Sequence, residues 1–136
     1  MNANSTNEKA IFPTGERGSA AYFSGTTRVK ILIQKGGDVN YSIANVQFEP
    51  AARTNWHTHP AGQVLLVTEG SGFYQEKGKP AIAIAKGDTV NIPANVEHWH
   101  GAASGSHFTH IAITSYKGEE NVVWLEPVTD DEYNSI

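Results

Sequence analysis

Trp56-His57-Thr58-His59-Pro60-Ala61-Gly62-Gln63 and, later, Pro93-Ala94-Asn95-Val96-Glu97-His98-Trp99-His100 decide how this chain is read. Each stretch carries a His-x-His pair, and the first adds a side-chain amide at Gln63. A strand alternates its side chains between two faces, so His57 and His59 point the same way, as do His98 and His100. Two imidazoles on one face make half of a metal site. A third histidine and an oxygen donor complete a ligand set of intermediate softness that suits Mn, Fe, Co, Ni or Zn. All six histidines of the 136-residue chain fall between His57 and His110, a crowding that chance does not readily produce.

Outward from these stretches, short runs rich in β-branched and aromatic residues recur between Gly, Pro and Asn. Arg28 to Ile33 is the first expected strand and Tyr41 to Phe48 the second. Val64 to Thr68 is an apolar run, expected to be buried on both faces. Gly70-Ser71-Gly72 is expected to turn into Phe73 to Glu76, and Lys77-Gly78-Lys79-Pro80 into Ala81 to Ala85. Lys86-Gly87-Asp88, with Asp88 as a turn former, leads into Thr89 to Ile92. Glu97 to Gly101, Phe108 to Thr114 and Val122 to Leu125 supply three more strands. Only the acidic end, Thr129 to Tyr133, fits a helical turn, capped by Thr129. Short strands at even spacing predict an all-β fold, a small barrel or sandwich. A metal on its inward positions is shielded from bulk water and reached through the mouth.

The length suits a single domain with one core. Residues 1–20, rich in Asn, Ser, Thr and Gly, read as a flexible lead-in, and 21–136 as the domain. The first residues lack the apolar core of a signal peptide, and no apolar run approaches a membrane span, so the expected place is the cytoplasm, away from membranes. The absence of cysteine excludes thiol catalysis and disulfides. A net charge of -4 with scattered Lys and Arg argues against nucleic acid as a partner.

The motifs resemble those of the cupin superfamily, which implies a double-stranded β-helix, or jelly-roll, barrel. Its first signature has an opening Gly, His-x-His, an acidic residue and a later Gly. Here it reads Arg53-Thr54-Asn55-Trp56-His57-Thr58-His59, then Gln63, then Gly70, with Ala51 or Ala52 near the opening glycine's place. The second reads Gly87-Asp88, Pro93-Ala94-Asn95 and His98, with Asn95 in a Gly slot; Asn tolerates a left-handed turn. Gln63 stands where the common shell has Glu. It keeps an oxygen donor but removes one negative charge, which raises the Lewis acidity of a bound divalent ion.

Within the superfamily, Arg53 to Gln63, His98-Trp99-His100-Gly101-Ala102-Ala103, Thr109-His110 and Trp124 to Asp130 resemble the manganese-dependent cupin hydroxynitrile lyases of bacteria. The resemblance implies a divalent metal, Mn before Fe, Zn, Ni or Co, held by His57, His59, Gln63 and His98. It implies His100 and His110 as acid/base groups acting on a small-molecule substrate, and a homodimer or higher homo-oligomer. The implied reaction cleaves or forms an aromatic cyanohydrin. Trp56 and Trp99 flank the ligands and are read as substrate-pocket walls, with ordinary core aromatics as the alternative. Ala44 and Val46, small and on a strand leading to the site, are read as leaving room for substrate. Trp124 is read as core or dimer interface, and His107 as exposed and idle. A metal-dependent dioxygenase, a non-catalytic small-molecule-binding cupin and an isomerase or sugar-binding cupin remain open alternatives.

Overall fold

The computed structural model describes residues 10–136, so the first part of the expected lead-in lies outside the described residues. Twelve strands follow in order: β1 (Glu16–Arg17), β2 (Phe23–Ser24), β3 (Thr27–Ile33), β4 (Tyr41–Phe48), β5 (Arg53–Thr54), β6 (His57–Thr58), β7 (Gln63–Glu76), β8 (Ile82–Ala85), β9 (Thr89–Ile92), β10 (His98–Ala102), β11 (Phe108–Ser115) and β12 (Val123–Trp124). The chain ends in a short helix, α1 (Asp130–Asn134), with Thr129 and Glu132 forming the reciprocal cap. The fold is all-β, as expected. The sheet begins earlier than expected, since β1 lies inside the stretch read as lead-in and pairs with Arg28 and Val29.

All strand pairs are antiparallel, in the order β1-β3-β4-β11-β7-β10-β5-β2, with β8 and β9 also on β7 and β12 reaching β10 through β6. The sheet curls into a barrel around Val46, Phe48, Leu65, Val67, Tyr74, Ile92, Phe108 and Ala112. A second apolar cluster lies outside it, where Trp56 and Trp99 pack against Val128 and Tyr133 of the C-terminal segment. Arg53 ties that segment down, donating to the Val128 carbonyl and reaching the Asp130 carboxylate at 2.8 Å.

Two expectations about β7 are overturned. Gly70-Ser71-Gly72 is not a turn, because Gln63 to Glu76 is one strand. Its first half pairs with β11 and β9, and its second with β10 and β8. Gly70, at φ +72°, lies opposite Phe108 two residues past the register slip at Thr68, and a Cβ there would collide with the His107 carbonyl. The glycines therefore serve close strand approach and a bend between layers, not a reversal. Nor is Val64 to Thr68 buried on both faces: Leu65 and Val67 face the core while Leu66 is 36% exposed. Asn95 takes the left-handed conformation expected of it, and Ala51 takes it too, at φ 67°.

Candidate metal centre

The site is assembled from β6, the loop after it, the start of β7, β10 and β11. His57 pairs directly with His98 across β6 and β10, which brings their ring centroids to 4.2 Å. His59 follows on the same side, 4.8 Å from His57 and 5.3 Å from His98. His100 shares the face of His98 on β10, as a period of two requires. His57, His98 and His100 each place a donor nitrogen within 4.8 Å of the others. His110, on β11, completes the row with its Nε2 at 3.0 Å from Nδ1 of His100. All five rings are buried. His107 is apart from them, exposed and beside Glu49, as expected.

Backbone carbonyls fix the tautomers. Nδ1 of His57 lies 2.8 Å from the Asn55 oxygen, that of His59 2.7 Å from Asn121, and that of His98 2.8 Å from Val96. A carbonyl only accepts, so each Nδ1 carries the proton and each Nε2 presents a bare lone pair. The Gln63 amide nitrogen donates to Thr114 Oγ1 at 2.9 Å, which turns Oε1 away from Thr114. Nε2 of His59, His98 and His100 and Oε1 of Gln63 are all buried without a hydrogen-bond partner. Buried acceptors left so are costly, and one cation would satisfy those of His59, His98 and Gln63 together. The donor set, imidazole nitrogens plus an amide oxygen, fits a divalent transition metal.

Burial keeps these rings neutral. Desolvation pushes His98 down to about 4 and His110 to about 3. His57 and His100 fall well below the usual histidine range, through burial first and neighbouring imidazoles second. Neutral imidazole is the form that binds metal or takes up a proton.

Ala44 and Val46 are packed in the barrel, where Val46 sits opposite His110 and Ala44 opposite Ala112. Trp56 and Trp99 do not wall this site. Trp99 lies between His98 and His100 on β10 and so faces the other way, bonding Gln75. Trp56 lines a surface groove with Lys77 and Glu132. The aromatic rings against the ligands include Trp124, 4.7 Å from His57 and stacked on Tyr22 at 4.6 Å, and Tyr74, 5.6 Å from His98. Thr114 and the Asn121 carbonyl also escaped the sequence reading. Thr114 was within reach of it, being in step with His110 on β11.

The Cupin_2 family, described as a cupin domain, matches residues 44–114. The chain belongs to the cupin family. A curated relative from Granulicella tundricola is 44% identical over 117 residues, covering 86% of this chain and 89% of that protein, and is named an (R)-mandelonitrile lyase. A solved cupin-like protein from Thermotoga maritima superposes with a TM-score of 0.90 at 48% identity, covering 93% of this chain and 96% of that one. The polyketide cyclase RemF of Streptomyces resistomycificus, 20% identical with a TM-score of 0.61 over 79% of this cupin and 76% of that chain, shares the fold alone.

Proposed function

We propose that this cupin is a metal-dependent lyase that cleaves and forms aromatic cyanohydrins. The observation that carries the reading is the pair of buried, hydrogen-bonded imidazoles, His100 and His110, set beside a cluster of metal-type donors. The similarity to a relative named a mandelonitrile lyase supports it. His57, His59, Gln63 and His98 would hold the ion, with Mn2+ the metal proposed. Bound there, a divalent ion supplies Lewis acidity, which lowers the pKa of a substrate hydroxyl.

The remaining chemistry belongs to the chain. The His100–His110 bond holds one proton between two rings, so a proton accepted at one ring is shared with the other. A cyanohydrin hydroxyl gives its proton to this pair. The O–H electron pair closes the carbonyl, the C–CN bond breaks, and cyanide leaves with that bond's electrons. The imidazolium then protonates cyanide and returns to neutral, so the products are aldehyde and hydrogen cyanide without redox change. Burial favours the return, because it penalises the charged ring. Val46, opposite His110, and Ala44 are the small residues proposed to border the substrate.

The test is anaerobic cleavage of mandelonitrile by Mn2+-loaded protein, read as benzaldehyde and cyanide release. Cleavage is expected. No anaerobic cleavage by the Mn2+-loaded protein, with oxygen uptake on an organic substrate when Fe2+ is loaded, overturns the reading in favour of an oxygenase.

A further inference from the structure

Gln63 is an unusual donor to orient, because its amide presents an oxygen on one side and an NH2 on the other. An inward oxygen attracts a cation; an inward NH2 repels it. Thr114 stands directly opposite Gln63 in the β7–β11 register, and both side chains are buried. Its Oγ1 takes the Gln63 NH2 at 2.9 Å, and the freed Oε1 is buried without a partner. Without that hydroxyl, an outward NH2 would be a buried donor left unpaired. The His59 ring is within hydrogen-bonding reach of Gln63, and its Nε2 is a bare acceptor. An amide turned round would donate to that nitrogen and take two ligands out of use at once.

We propose that Thr114 is a positioning residue for the metal centre: its hydroxyl accepts from the Gln63 NH2 when the amide oxygen is inward, and so supports a neutral glutamine as a metal donor. The inference rests on the metal-site reading above and adds to it a residue that touches neither metal nor substrate. It also implies a dependence on the amide itself. A carboxylate has two oxygens and no NH2, so with glutamate at position 63 there is no orientation to select.

The experiment titrates Mn2+ into metal-free protein and reads free Mn2+ by electron paramagnetic resonance, with thermal unfolding as a check of folding. Thr114→Val is expected to weaken Mn2+ binding by about 10–100-fold, the usual cost of losing a partner that orients a ligand. Thr114→Ser should bind within about threefold of wild type, inside ordinary scatter for a silent change. In the Gln63→Glu background, Thr114→Val should likewise cost no more than about threefold. Thr114→Ala loses the same acceptor without placing a methyl against the amide, and decides the matter where the valine variant does not fold. Folded valine or alanine variants that bind Mn2+ as wild type does overturn the inference alone. So does an equal loss in the wild-type and Gln63→Glu backgrounds, which would mark a merely structural threonine. A wild type that takes up no Mn2+, or a His59→Ala variant that takes it up undiminished, brings down the metal-site reading and this inference with it.

Discussion

His100 and His110 touch each other, yet their positions assign them different work. A ring nitrogen of His100 lies in the donor cluster with His57 and His98, while Nδ1 of His110 is buried without a partner. His110→Ala is therefore expected to retain Mn2+ and to lose activity by about 10²–10⁴-fold, the usual contribution of an acid/base group. His100→Ala should lose comparable activity and weaken Mn2+ binding as well. Metal content and kcat measured on the same samples check both. A His110→Ala variant with full activity would remove this ring from the proton pathway.

The long strand β7 joins the site to the rest of the fold, since it begins at Gln63 and crosses between layers at Gly70. Gly70→Ala places a side chain at φ +72° and against the His107 carbonyl. Gly78→Ala at φ +80° meets open space. The left-handed conformation alone costs about 1–2 kcal/mol, so Gly78→Ala should lose about that much in urea unfolding and Gly70→Ala clearly more. Equal losses would show that close strand approach does not matter at Gly70. Much was legible beforehand: Tyr41–Phe48 has the expected bounds, Thr129 caps its helical turn, and the histidines gather as their spacing requires. Gly70-Ser71-Gly72 misled because a glycine pair reads locally as a turn, while its partners, His107 and Gly101, lie far along the chain. Trp99 follows the alternative reading, an ordinary core aromatic, because the alternation that puts His98 and His100 inward puts it outward. Trp124 and Asn121 were beyond reach, since only the return of β12 to β6 brings them to His57 and His59.

A neutral, desolvated histidine cluster makes the metal-free barrel acid-sensitive. The unfolded chain takes up a proton on His98 near 6.5, the folded one near 4. The folded pKa is depressed, so the stability is fully present above about 6.5 and is lost as pH falls towards 4. The loss from His98 is on the order of 3 kcal/mol, and His110, held at about 3, adds to it. The melting temperature of EDTA-treated protein should fall between pH 7.5 and pH 5; an unchanged value would contradict the buried neutral rings. The outer edge of the barrel is suited to self-association. β1 pairs only with Arg28 and Val29, which leaves Lys30 to Ile33 as an edge among the described residues. Ile31, opposite Ala44, lies on the side of Thr27 and Val29, a register shift then sets Ile33 opposite Ile43, and each isoleucine is 45% exposed. An apolar edge strand of this kind invites pairing with another chain. A second copy offers the same edge, and a twofold pairing covers both at once. Light scattering is expected to give twice the 14.7 kDa chain mass at micromolar concentration. Ile31→Lys with Ile33→Lys should give a folded monomer that still binds Mn2+, because neither side chain belongs to the histidine cluster. A monomeric wild type would leave this edge without a partner of its own kind.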